Sequence, residues 1–360
     1  MLKENGDMGS GLPNRIIRVL IVDDSAYVRK VIKQMLSRSP YIEVVGAARD
    51  GEEALEMVEE LRPDVVTLDL IMPNLDGVGF LKKQMAKKPL PVVVVSIASE
   101  TSELALKAID LGAIDFVQKP TALATERIYE ISDEIIDKIK TAASVPMKRI
   151  KPLLIEGREL PRVSALKERK DRFDIVVIGI STGGPQALKL MIPQLPEDLP
   201  VPVAVVIHMP VGYTEPFANK LNEVSPLTVR EAQEGDVLEK GVVLIAPAGR
   251  HLTFKRRPDG VVVAHLDLRP FDTLHKPSVD VMFRSAAEVY KNRVLGVVMT
   301  GMGSDGKEGA AWIKAQGGTV FTEAEESCIV YGMPRSVVEA GLSDKSLTLD
   351  RMAEEIVENV

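Results

Sequence analysis

The sequence predicts an α/β protein built in two parts: a doubly wound domain, a linker, and a second, mostly parallel-sheet α/β domain that carries a β-hairpin. Three observations predict it. Near-continuous Val/Ile runs alternate with helical stretches from residue 18 onward, the pattern of parallel strands covered on both faces. At 360 residues the chain is more than twice the length of a typical single domain. The alternation breaks once, over residues 144–172, and then resumes.

In order, the first rhythm pairs RVLIV with SAYVRKVIKQML and IEVVG with GEEALEMVEEL. DVVTL with GVGFLKKQMA, VVVVS with ELALKAIDLG, and IDFV with ERIYEISDEIIDKIKTAA follow. These strand–helix units place a first domain at 18–143, after a disordered lead-in at 1–17. Residues 144–172 hold three prolines and many charges without sustained period, which reads as a solvated linker with a short helix at SALKERK. The second domain, 173–360, opens on FDIVVIG and continues through PVAVVIH and GVVLIAPA. HLTFK and VVVAHL form a hairpin around Asp259-Gly260, a pair suited to a turn. A helix around SVDVMFRSAAEVYK, the strand RVLGVVMT, the loop GMGSDG, a helix, the strand GTVFTE and a final helical stretch complete it.

Bulk properties exclude several classes. The formal net charge is −7, the wrong sign for a protein whose affinity rests on neutralising phosphates, so no nucleic-acid partner is expected. The second half also lacks a basic recognition-helix pattern, which leaves little weight for a transcription regulator. No apolar run approaches the ~18 residues a membrane span needs, so no membrane insertion is expected. The N-terminus lacks a signal peptide's apolar stretch, and the single cysteine, Cys328, suits a buried small hydrophobe. The expected localisation is cytoplasmic.

Ligands of open α/β sheets bind at the carboxyl ends of the strands. In the first domain those ends carry Asp23 and Asp24, then Asp69, Ser96 and Lys119. Three carboxylates at one edge repel each other unless a hard cation joins them, and oxygen ligands of this number suit Mg²⁺. With a hydroxyl and an ammonium nearby, the cluster suits receipt of a phosphoryl group: Asp69 attacks, Ser96 and Lys119 support the phosphoryl oxygens. Helix capping alone would account for Asp24-Ser25 but not for Lys119 before Pro120. VDDSAYVRK, DLIMPNLDG, VVVVSIASE and DFVQKP resemble the receiver domains of two-component response regulators, which have a flavodoxin-like fold. That resemblance implies phosphorylation of Asp69 by a histidine kinase, Mg²⁺ held by Asp23, Asp24 and Asp69, and a switching aromatic at Phe116.

In the second domain VIGISTGGP admits two readings. As a dinucleotide fingerprint it fails at the middle glycine, where Ser181 stands, and the acids Glu197 and Asp198 come slightly early for a ribose. As G-x-S-x-G between a strand and a helix, it presents Ser181 as a nucleophile, with helix-start amides behind it. A serine needs a base. Of the four histidines, His208 ends a buried strand at the same edge, His265 sits on a hairpin strand, and His251 and His275 fall in loops. The orienting acid best placed is Asp305, directly after RVLGVV; Asp267, Asp272 and Asp280 are rivals, Asp280 inside a helical pattern. The order Ser, His, Asp differs from those of the familiar triads.

IGISTGGP, VVIHMP, PAGRH, HKPSVDVMF, MTGMGSDG and YGMP together resemble the CheB family of chemotaxis response regulator protein-glutamate methylesterases. The resemblance implies Ser181 as nucleophile, His208 as general base and acid, Asp305 as orienting carboxylate, and the backbone N–H near Met302 as oxyanion donor. It implies hydrolysis of glutamate methyl esters on the cytoplasmic domains of methyl-accepting chemoreceptors, deamidation of receptor glutamines in some members, and a chemotaxis histidine kinase as partner. It further implies a receiver that covers the esterase cleft until phosphorylated, and an esterase site that needs no cofactor. A nucleotide-binding or partner-binding output without catalysis is the competing class.

Overall fold

The computed structural model describes residues 15–96, 98–119, 128–150 and 172–360. Most of the expected lead-in and linker, with the SALKERK helix, lies outside them. The first domain runs β1 (Ile17–Val22), α1 (Ala26–Leu36), β2 (Ile42–Ala48), α2 (Gly51–Leu61) and β3 (Val65–Leu68). It continues with α3 (Gly77–Lys87), β4 (Val92–Ser96), α4 (Ala98–Asp110), β5 (Asp115–Gln118) and α5 (Ile128–Ser144). Its five strands lie in the order β2-β1-β3-β4-β5, with β1 parallel to both β2 and β3. Val19, Leu20, Val65, Val66, Val92 and Val93 are fully buried, as strands covered on both faces require.

Capping residues fix where the helices start. Asp50 accepts the amides of Glu52 and Glu53 at 3.0 and 2.9 Å, and Asp76 accepts that of Gly79 at 2.6 Å. Ser25 caps α1, and Asp23 in turn accepts the Ser25 amide at 2.9 Å. One acid of the expected cluster therefore also shapes the turn that presents it.

The second domain runs β6 (Ile175–Ile180), α6 (Gly184–Met191), β7 (Val203–Ile207), α7 (Thr214–Val224), β8 (Thr228–Glu231) and β9 (Val242–Ile245). Next come β10 (His251–Arg256), β11 (Val262–Asp267), α8 (Val279–Tyr290), β12 (Val294–Val298) and α9 (Lys307–Ala315). The chain ends with β13 (Thr319–Glu323), α10 (Met333–Glu339), β14 (Lys345–Leu347) and α11 (Leu349–Asn359). Seven strands form a parallel sheet in the order β14-β13-β12-β6-β7-β9-β8. β10 and β11 pair antiparallel, with Gly260 at φ +86° in their turn. The Leu252, Phe254, Val262 and Ala264 side chains of this hairpin join Met282, Phe283 and Ala286 of α8 in one buried cluster with β6 and β12.

Both sheets reverse direction at one point. In the first, the chain moves outward from β1 to β2 and then crosses to β3; in the second, β7, β8 and β9 lie on one side of β6 and β12 on the other. Loops leaving adjacent strands at such a point diverge and open a crevice at the carboxyl edge. Asp23 and Asp69 follow β1 and β3, whereas Ser181 follows β6 and the 299–306 loop follows β12.

The start of α8 lies close over the second crevice. A Cβ on Gly179 would sit 2.2 Å from Val279 Cγ1, and one on Gly306 3.0 Å from the same atom. Gly179→Ala is therefore expected to destabilise the domain by about 1–3 kcal/mol. Adding Val279→Ala should recover part of the loss, a non-additivity read from urea midpoints of the two single variants and the double variant.

Candidate active site

In the first domain Lys119 Nζ lies 2.8 Å from both Asp23 Oδ2 and Asp69 Oδ2. Asp69 Oδ1 accepts its neighbour's amide, Leu70 N–H, at 2.8 Å. Burial pushes the Asp23 carboxyl up against the pull of Lys119, and the charge of Asp69 adds to the rise. Burial also works against the Lys119 ammonium, but its bonds to Asp23 and Asp69 outweigh that and raise its pKa. One oxygen from each of Asp23, Asp24 and Asp69 lies within 4.8 Å of the others. Excess buried acid with only oxygen donors fits a hard divalent cation. Ser96 ends β4, the strand next to β3, and is fully buried. Phe116 lies buried on β5.

In the second domain β6 delivers Ser181 to the sheet edge and Gly183, at φ +80°, turns the chain into α6 with Pro185 in the first helical turn. The Ser181 amide donates to Thr300 O at 2.9 Å and the Ser181 carbonyl accepts from Gly184 N–H at 2.7 Å, so the backbone at Ser181 is held on both sides. His208 follows β7, and its amide donates to Ile180 O at 3.2 Å. The base candidate and the nucleophile candidate thus leave neighbouring strands in register, each one residue beyond the Ile180–Ile207 pair.

His208 Nε2 lies 2.9 Å from Asp305 Oδ2 with both side chains largely buried. Burial works to raise the Asp305 carboxyl, but the bond and charge of His208 and the amides of Asp280 and Val279 hold it well below the usual carboxylate range. An ionised Asp305 only accepts, so Nε2 carries the imidazole proton and Nδ1 keeps its lone pair. Nδ1 is buried and has no hydrogen-bond partner among the described residues. A buried imidazole with one nitrogen committed and the other bare is the arrangement a general base needs. His275 stacks on the same ring, centroids 4.0 Å apart.

Asp305 is held by more than His208. Ser278 Oγ–H donates to Oδ1 at 3.0 Å, Asp280 N–H to Oδ1 at 2.9 Å, and Val279 N–H to Oδ2 at 2.8 Å. The carboxylate thereby caps α8, whose positive end favours its charge. Asp280 returns the relation: its Oδ1 accepts Gly306 N–H at 2.9 Å and Gly309 N–H at 2.7 Å at the start of α9. Burial, with Asp305 close by, pushes the Asp280 carboxyl up to about 7 against those two amides.

The loop carrying Met302 is fixed from the opposite side. Gly301 O accepts from Met333 N–H at 2.9 Å and Gly332 N–H at 3.1 Å, so the α10 entry grips the carbonyl of the Gly301–Met302 peptide. Carbonyl and amide point oppositely in a trans peptide, which turns the Met302 N–H away from α10. A Cβ on Gly301 would meet Met333 Sδ at 2.4 Å and Ser181 Cβ at 2.8 Å, so this peptide passes directly against the serine. Behind it Glu323, fully buried at the end of β13, accepts the Thr300 amide at 2.9 Å and Ser327 Oγ–H at 2.9 Å.

Sequence reasoning passed over Thr300, Glu323 and Ser278. Glu323 carried the signal that singled out Asp69, an acid closing an apolar strand, and Ser278 stood before a helix with an acid soon after. His251, expected in a loop, is the first residue of β10 and fully buried. Its Nδ1 accepts Ser278 N–H at 3.2 Å and Nε2 faces Pro270 O at 3.1 Å, so it braces the segment that holds Asp305. His265 lies on β11 as expected, 2.9 Å from Glu234, and Asp267 pairs with Arg269. Cys328 is buried, and burial pushes its thiol far up.

Comparison with known proteins defines the class first. A family model described as a response regulator receiver domain matches residues 19–130, and one described as CheB methylesterase matches 176–356. The chain is 51% identical to "Protein-glutamate methylesterase/protein-glutamine glutaminase 5" of Myxococcus xanthus, over 93% of this chain and 96% of that one. It is 42% identical to the protein of the same description, without the numeral, from Pyrococcus abyssi, over 97% and 95%. The crystal structure of the Thermotoga maritima CheB methylesterase catalytic domain matches with TM-score 0.51 and 44% identity, covering 52% of this chain and 98% of that one. The chain belongs to the CheB family: a response regulator receiver domain followed by a methylesterase domain. No helix among the described residues is long and apolar enough to cross a membrane.

Proposed function

We propose that this protein is a cytoplasmic, phosphorylation-regulated hydrolase of glutamate methyl esters on chemoreceptors, acting in chemotactic adaptation through Ser181, His208 and Asp305. One observation carries the reading: a buried His208 whose Nε2 is bound to Asp305 and whose Nδ1 has no partner among the described residues, beside the strand that leads into Ser181. Ser181 Oγ attacks the ester carbonyl while His208 Nδ1 takes its proton. The oxyanion forms against the Met302 N–H, and Asp305 balances the imidazolium. His208 then protonates the leaving methoxide, methanol departs, and water attacks the acyl-enzyme by the same route to give glutamate. With a glutamine side chain the same steps release ammonia, which is the deamidation named in the relatives' descriptions.

In the receiver domain (18–143, ahead of a linker at 144–172 and the esterase domain at 173–360) Asp69 accepts the phosphoryl group from a histidine kinase. Asp23, Asp24 and Asp69 would hold Mg²⁺, which supplies charge compensation for the transferring group. Lys119 pairs with the Asp69 oxygen, and Ser96 bonds a phosphoryl oxygen. Methanol release from methylated receptor membranes is expected to rise when a small-molecule phosphodonor is added. Asp69→Asn should keep the basal rate and lose the rise. Equal rates with and without donor in the unsubstituted protein would remove the regulation, and no methanol release in either condition would remove the activity.

A further inference from the structure

Asp305 and Asp280 form a reciprocal pair. Asp305, just before α9, caps the start of α8 through Val279 N–H and Asp280 N–H. Asp280, in the first turn of α8, accepts Gly306 N–H and Gly309 N–H at the start of α9. Gly306 is the residue directly after Asp305, so Asp280 fixes the backbone that carries the Asp305 side chain. Close approach is built in: a Cβ on Gly309 would lie 2.5 Å from Phe283 Cβ and 3.0 Å from Asp280 Cα. Gly306 itself stands at φ +99°, a conformation that glycine adopts without strain.

Asp280 is buried beside the Asp305 carboxylate, and burial with that neighbouring charge raises its carboxyl to about 7, favouring the protonated form. Four donors fix which acid keeps the charge. Among the described residues Asp305 receives His208 Nε2–H, Ser278 Oγ–H and two amides, while Asp280 receives two amides. The charge therefore stays on Asp305 and Asp280 is the neutral acid, a division of labour found where paired carboxyls sit in unlike surroundings. The ionisable groups around Asp280 are Asp305 before α9, His208 beyond it at the end of β7, and His251 on β10, which reaches the pair through Ser278. Lys307 and Glu308 in the first turn of α9 are exposed, and Arg284, one turn along α8, packs over Trp312. β6 and β12 beneath α8 are apolar throughout.

We infer that Asp280 is a positioning residue of this hydrolase: through Gly306 N–H and Gly309 N–H it fixes the loop that bears Asp305, keeping that carboxylate aimed at His208. The inference rests on the triad reading above. Losing Asp280 therefore displaces His208 relative to Ser181 without touching bound substrate, so kcat falls and KM stays.

The test uses the full-length protein and methanol release from methylated receptor membranes, with thermal melts of every variant. Asp280→Ala is expected to lower kcat about 10- to 100-fold, the cost of a small misplacement at a reacting centre, with KM within about threefold. Asp280→Asn retains an amide oxygen for Gly306 and Gly309, and should recover most of that kcat. It stays neutral at every pH, whereas the Asp280 carboxyl gains charge beside Asp305 as pH passes about 7, so the ratio of its kcat to that of the unsubstituted protein should rise between pH 6 and pH 9. That pH-dependent ratio also decides the matter if Asp280→Ala fails to fold. A constant ratio, or Asp280→Asn as impaired as Asp280→Ala, overturns the inference. Asp305→Asn serves as the reference. If it is inactive while Asp280→Ala keeps the full rate, the inference about Asp280 falls alone; if Asp305→Asn keeps the full rate, the triad reading falls with it.

Discussion

Ser181→Ala is expected to abolish methanol release, lowering kcat on the order of 10⁶-fold, as removal of a triad serine does elsewhere. Nothing else should move. The hydrogen bonds that hold Ser181, to Thr300 O and from Gly184 N–H, are main-chain bonds, and alanine keeps both. Alanine also presents the same Cβ to Gly301. Tm should stay within about 1 °C of the unsubstituted protein, and phosphorylation of Asp69 should proceed as before. Methanol assay, thermal melt and phosphodonor labelling run on one preparation separate these outcomes. Turnover at the unsubstituted rate would sink the nucleophile assignment, and a collapsed melt would mean that the fold rather than the chemistry was lost.

Asp305→Asn is the second large effect. Asparagine is isosteric, but every partner of Asp305 is a donor: His208 Nε2–H, Ser278 Oγ–H, and the amides of Val279 and Asp280. The side-chain amide has one accepting oxygen where the carboxylate had two. If that oxygen takes the Oδ1 place, with Ser278 Oγ–H and Asp280 N–H, the NH₂ takes the Oδ2 place, faces His208 Nε2 and reverses the tautomer. The proton then sits on Nδ1, the nitrogen proposed to accept one from Ser181. A fall of about 10⁴-fold in kcat follows, the size of effect seen when a triad imidazole is held in the wrong tautomer. The variant should still fold, because α8 retains its Ser278 cap. Proton NMR of the imidazole gives an independent readout: the ring N–H bonded to Asp305 should disappear from its downfield position.

Much of this was legible in the sequence. Strands flanked by covering helices print as unbroken Val/Ile runs, so both sheets could be read from composition and spacing. The polar residues that end those runs pointed to the carboxyl edges, where ligands gather in such sheets. Short edge strands were harder. TVRE and KSL, which form β8 and β14, carry no apolar run because an edge strand is half exposed. The bracing of the site was not legible either. Glu323 reaches Thr300 across 23 positions, and Asp280 reaches Gly306 across 26. Distances of that kind in sequence become contacts only through strand order, and strand order is set by packing over the whole sheet. His251 misled for a local reason: PAGRH reads as a turn, but the turn ends one residue earlier and the imidazole goes inward.

The grip of α10 on the Gly301 carbonyl has a consequence for inheritance. Residues 300–302 pass against Ser181, 330–333 hold them through main-chain bonds, and the amides of 279 and 280 hold Asp305, with glycine at 301 and 332 where a Cβ would lie under 3 Å from a neighbour. Tolerance at any one of these positions therefore depends on what occupies the others. Substitutions here should be strongly epistatic, and moving the three proposed triad side chains onto another parallel sheet should yield nothing unless these segments move with them.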